Sequence, residues 1–170
     1  FYNEDKIKTS LINQISDKYD IKIQFNEKVN YGLFPKPFFY TKNLDIYYDE
    51  SILANASYVN FYISFKNFFL SERIFTNDIV FKNTEFDINS SNIEFFLKSL
   101  NSFEKENIIT FKKSKLFYKD QNDDLLFLTK INNFSFLYDD VNDFQIVKSN
   151  FEIFNIPFKL DISKNLNNQS

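Results

Sequence analysis

The chain has no cysteine, histidine, methionine or tryptophan, a single glycine (Gly32) and three prolines. Without histidine or cysteine, Ser-His-Asp and Cys-His nucleophilic sites and zinc sites of the usual Cys/His kind are excluded. A Walker loop or a dinucleotide fingerprint needs several glycines, and Gly32 stands alone. No apolar run reaches the ~18 to 20 residues of a membrane-spanning helix. A chain without methionine has lost its initiator to processing or represents part of a longer protein. The lack of cysteine fits an envelope compartment and equally a coding bias, so it decides neither.

Charge is balanced, with a net −3 and interleaved signs, so the concentrated basic face of a nucleic-acid binder is missing. Lys112-Lys113-x-Lys115, followed by Lys119, is the densest basic run; it suits a solvated strand end or contact with anionic headgroups. Asp139-Asp140-Val141-Asn142-Asp143 has the acids of a calcium loop but neither its turn glycine nor its closing glutamate. It and Asp123-Asp124 read as solvated turns. No pair of acids sits in a recognisable active-site context, so the residues indicate no enzyme, no catalytic or metal-binding residue and no cofactor.

What the chain has is phenylalanine and tyrosine, 24 and 10 of them, set in alternating patterns. Asn3 to Lys18 reads as a helix with Ile7, Leu11 and Ile15 on one stripe, resting on the first end of a sheet. Strands follow at Ile21–Phe25, Phe38–Tyr48 and Ala54–Ser64, then from Ile79 to Ile88, with a helical turn over Phe65–Leu70. A second helix, Asn92 to Leu100, is expected to be capped by Ser91 and to bury Ile93, Phe96, Leu97 and Leu100. Beyond it come Ile108–Phe111, Leu116–Tyr118, Leu125–Tyr138, Phe144–Phe154 and Ile156–Ile162, with a polar tail from Asn165. Apolar parity switches near Asn132-Asn133, and similar breaks near Lys82-Asn83 and Ser149-Asn150 imply bulges and a curved sheet. The expected fold is α+β: one domain over residues 1–170, a long curved antiparallel β-meander (a β-groove) with an N-terminal amphipathic helix and a second short helix between two strand clusters.

The order helix, strand, Pro35/Pro37, Asn43-Leu44 strand, Ala54/Ala56 strand, Ser64-Phe65 to Phe69-Leu70 turn, then Ile79-Val80-Phe81 to Phe86 and Ile88 resembles the N-terminal region of the AsmA family of bacterial envelope proteins. Tyr19-Asp20 stands where that family usually has Thr-Gly, and the likeness fades after Asn107. The resemblance implies a membrane-proximal segment of a longer protein, anchored by an inner-membrane helix ahead of Phe1-Tyr2, with its bulk in the periplasm. It implies phospholipid as a partner, shielded or transferred along an apolar groove in support of outer-membrane biogenesis, with other envelope proteins nearby. Groove candidates are Val59, Phe61, Ile63, Phe134, Phe136, Tyr138, Phe158 and Leu160. The alternatives are that these side chains pack a closed core, and that the chain is a structural or protein-interaction β module without lipid.

Overall fold

The computed structural model describes residues 3–66, 74–102, 108–139 and 141–165. Residues 1–2, 67–73, 103–107, 140 and 166–170 lie outside the described residues, and with them most of the helical turn expected over Phe65–Leu70 and the polar tail expected beyond Asn165. The elements are α1 (Glu4–Tyr19), β1 (Lys22–Phe25), β2 (Asn30–Gly32), β3 (Phe38–Tyr48), β4 (Ser51–Ile63), β5 (Thr76–Ile88), α2 (Ile93–Ser102), β6 (Ile108–Lys119), β7 (Leu125–Asp139), β8 (Phe144–Ile153) and β9 (Ile156–Asn165). The nine strands form one open sheet in the order β1-β3-β4-β5-β6-β7-β8-β9, with β2 also on β3.

α1 begins where the Asn3 side chain accepts from the amides of Asp5 and Lys6 at 2.9 and 3.3 Å. It ends at Asp20, whose φ of 53° is left-handed and whose N–H bonds the Ser16 carbonyl. Aspartate tolerates this conformation better than most residues, so the helix ends in a left-handed turn without a glycine. Ile7, Leu11 and Ile15 are buried in one cluster with Phe39, Leu44, Val59 and Phe61. The helix therefore lies over the sheet face and does not merely guard its rim. Polar bonds fix its path across that face: Val29 N–H to Glu4 Oε1, Ser10 Oγ to the Ile74 carbonyl and Thr76 N–H to Gln14 Oε1, at 3.1, 3.4 and 3.2 Å. The lone glycine has a packing reason. A Cβ on Gly32 would come within 2.4 Å of the Phe38 ring of its paired residue.

The pairing corrects the expected all-antiparallel meander. β5 and β6 run parallel, from Asp78↔Ile108 to Ile88↔Tyr118, joined through α2. A parallel neighbour requires a crossover of a dozen or more residues, and α2 sits in that crossover. The sheet is mixed, and Ile108–Phe111 and Leu116–Tyr118 are one strand of 12 residues. At α2, Asn92 and not Ser91 precedes the first turn; its side chain accepts from the Asn89 amide and donates to the Asp87 carbonyl, at 3.0 and 2.8 Å. Ser91 Oγ instead donates to Asn89 Oδ1. Leu97, expected inside, is 56% exposed, because the helix docks through Phe95 on Tyr48 and Phe96 on Phe86.

A crease crosses the middle of the sheet. Asn43 in β3, Asn83 in β5 and Lys113 in β6 have φ of 49°, 50° and 51°, and the strand registers step over these residues and over Ser57 and Asn132 between them. Thr41 and Leu44, Val59 and Ala56, Phe81 and Thr84, and Phe134 and Ile131 are each three residues apart in their strands. A regular strand would put the members of each pair on opposite faces; the crease returns them to one. Ser57 Oγ donates to the Asn83 carbonyl and the Thr84 amide donates to Ser114 Oγ, both at 3.2 Å, stitching the crease. The expected breaks at Lys82-Asn83 and Asn132-Asn133 belong to this line. The break expected at Ser149-Asn150 does not occur in β8, whose pairing with β9 runs unshifted through both residues.

Candidate functional site

The registers sort the side chains into two faces of different chemistry. One face carries Phe39, Leu44, Ile46, Ala54, Ala56, Val59, Phe61, Ile79 and Phe81 under the helices. It continues through Phe111, Phe134, Phe136 and Val147, packed into or against the same core. Its last column is Ile156, Phe158, Leu160 and Ile162 of β9, aligned with Ile153, Phe151, Ser149 and Val147 of β8. There the cover ends: Ile156 is 57% exposed, Phe158 45%, Leu160 39% and Ile162 49%. Phe151 and Phe158 stack with ring centroids 5.5 Å apart. Exposed apolar side chains on alternate residues of one strand form a stripe and not a scatter.

The opposite face is polar. Lys42, Asp45, Asn55, Lys82, Glu85, Lys112, Lys115 and Lys130 line it by alternation with the buried set. Lys115 pairs with Glu85 at 3.1 Å, and Lys119 pairs with Asp87 at 3.1 Å and Asp123 at 3.4 Å. Those bonds hold the Lys119 ammonium above its ordinary pKa, the hydrogen bond to Asp87 contributing most. Two lysines of the basic run are thus already partnered. Toward one end of this face lies an aromatic group: Tyr40 stacks on Tyr58 at 5.6 Å, Phe38 meets Tyr40 and Tyr62 at 5.8 and 5.4 Å, and Lys82 stands 5.2 Å over the Tyr58 ring. Burial, then the neighbouring Tyr40 and Tyr62, pushes the Tyr58 hydroxyl above its ordinary pKa. Lys36 pairs with Asp78 at the rim of this group.

The acidic segments are turns. Asp139 accepts from the amides of Val141 and Asn142 and from the Asn142 side chain, which lowers its pKa, the Asn142 side-chain bond counting most. Asp120 Oδ1 accepts from the amides of Asn122 and Asp124 at 2.8 and 3.0 Å. Among the described residues no group of three or more acidic, histidine or cysteine side chains is placed to hold a metal ion. No helix among them is long and apolar enough to cross a membrane.

The eight groove candidates all fall on the apolar face, but in different surroundings. Val59, Phe61 and Ile63 are sealed in the core beside α1, and Phe136 is buried near them. Phe134 and Tyr138 are half-buried; Phe134 packs edge-on to Phe136 at 4.9 Å, and the Tyr138 hydroxyl donates to Asp143. Only Phe158 and Leu160 of the eight lie on the open stripe. Ile156 and Ile162 complete it and were already legible as residues of the same parity in the last strand. Exposed Leu125 and Leu126 at the start of β7 add apolar surface at the rim of the sheet. Compared with known proteins, the chain matches no family model and no curated sequence.

Proposed function

We propose that this chain is a non-catalytic module that shields phospholipid acyl chains along the apolar face of its sheet, in the manner of an AsmA-type envelope protein. The observation that carries the reading is the β9 stripe, where an apolar face continuous with the core runs out from under its helices and meets solvent. A lipid tail needs little more: each methylene covered is worth ~0.8 kcal/mol, without any specific pocket. The polar reverse face, with its paired lysines, suits contact with water and not with a second layer. By the same resemblance the sheet is periplasmic, tethered to the inner membrane by a helix ahead of this segment, and serves outer-membrane biogenesis.

Native mass spectrometry of the chain, expressed and purified without detergent, tests the proposal. Co-purifying phospholipid, lost when Phe158 and Leu160 are both replaced by aspartate, is the expected result. An unliganded mass for the unaltered chain, unchanged after incubation with phospholipid vesicles, would overturn it.

A further inference from the structure

Among the described residues β9 has one neighbour, β8, and its other side is a free strand edge. The turn before it determines which backbone groups face that edge. Phe154 and Asn155 have φ of 51° and 62°, the geometry of a two-residue type I′ hairpin, so the flanking Ile153 and Ile156 exchange backbone hydrogen bonds. Counting on by twos, Phe158, Leu160 and Ile162 direct their amides at β8, and Pro157, Lys159, Asp161 and Ser163 face outward. Proline, with no N–H to offer, sits in the outward set, as an edge requires. Lys159 and Asp161 are exposed, carry opposite charges, and neither forms an ion pair among the described residues.

We infer that β9 pairs antiparallel with β9 of a second copy, about a twofold axis at Leu160. Antiparallel partners must both face the shared edge, so odd-numbered residues meet odd-numbered ones. With the axis at Leu160, Lys159 lies opposite Asp161 of the other copy, and by symmetry this happens twice. The Pro157 carbonyl meets the Ser163 amide, so the missing proline N–H costs one bond per end. Phe158 lies opposite Ile162 and Leu160 opposite itself, all on the apolar face. An axis at Lys159 would oppose two lysines and one at Asp161 two aspartates, and like charges directly opposite are destabilising. Axes at Phe158 or Ile162 leave both charges without a charged partner. Only the Leu160 register satisfies charge, hydrogen-bond direction and apolar alternation together. The pairing is isologous and closes at two copies, joining two apolar faces on the same side of one extended sheet.

Charge exchange on the unaltered background tests the inference, read by sedimentation velocity across a concentration series. K159E and D161K should each weaken the dimer at least about tenfold, and the double exchange K159E/D161K, which restores opposite charges in the same register, should recover it. Because the chain has no cysteine, L160C should form a disulfide-linked dimer under mild oxidant, while I162C, facing Phe158, should not. Both sites are solvent-exposed, and circular dichroism verifies the fold of each variant. A chain monomeric at every concentration, a double exchange no better than the single ones, equal cross-linking at both cysteine positions, or open-ended assembly through the β1 edge would each overturn it. Dimer mass is read with and without bound lipid, so the outcome is separate from that of the lipid proposal.

Discussion

The crease makes a prediction whose sign runs against ordinary strand behaviour. Lys113 lies in the interior of β6 with φ of 51°, and an L-residue held there costs about 1–2 kcal/mol. Glycine removes that cost but brings about 0.5–1 kcal/mol of chain entropy in a regular strand. Lys113→Gly should therefore stabilise the protein by about 0.5–1 kcal/mol, with no packing lost, because the side chain is exposed. Lys112, its neighbour, is also exposed but has an ordinary strand register with Lys82 and Asn133. Lys112→Gly should destabilise by about 0.5–1 kcal/mol. With a urea slope of roughly 2 kcal/mol per molar, the two midpoints should move in opposite directions, by about 0.3–0.5 M each. Equilibrium urea unfolding followed by far-ultraviolet circular dichroism reads both. If the two variants lower the midpoint alike, the backbone at Lys113 is not left-handed and the crease does not exist.

Leu11→Ala, which empties a fully buried position beneath α1, should cost about 2–5 kcal/mol by the same unfolding assay. Thr84 has a buried hydroxyl without a partner among the described residues, so Thr84→Val should be neutral or raise stability, by up to about 1 kcal/mol; a loss of several would show that the hydroxyl is bonded. Removing the α1 cap with Asn3→Ala should lower stability by about 1 kcal/mol. Tyr58, whose hydroxyl is shifted upward mainly by burial, gives stability that is complete below the ordinary tyrosine pKa and lost as pH rises through the folded value. In a spectrophotometric titration Tyr58→Phe should delete a tyrosinate that forms above the ordinary tyrosine range, and deletion of one that forms at or below that range would contradict the burial argument.

Strand positions and facing were legible because alternation with a period of two is written directly in the side chains. Phe38–Tyr48 is found as expected, and the parity switch at Asn132 is a bulge. What sequence could not carry was decided by distant partners. Parallel pairing of β5 with β6 depends on where the α2 crossover lands, and nothing local in Ile108–Lys119 records its direction. Lys113 is the clearest case of a hidden feature, since lysine gives no sign of left-handed backbone, whereas Asn43 and Asn83 are residue types that tolerate it. Asn92, not Ser91, stands before the first turn of α2, and its side chain ties back to Asp87 and Asn89 through partners that the local sequence does not reveal. Of the candidate site, parity grouped the residues within each strand, and the pairing registers brought the eight onto one face. Exposure separated Phe158 and Leu160 from Val59, Phe61 and Ile63, and that depended on the extent of helix cover, a tertiary fact.

On the proposed reading, one side of β9, and not the other, meets lipid. A photoreactive phenylalanine analogue placed singly at positions 158 through 162, with the chain illuminated in phospholipid vesicles and analysed by mass spectrometry, tests it at single-residue spacing. Lipid adducts are expected at Phe158, Leu160 and Ile162 and none at Lys159 and Asp161. Adducts of equal yield at all five positions, or at none, would contradict it.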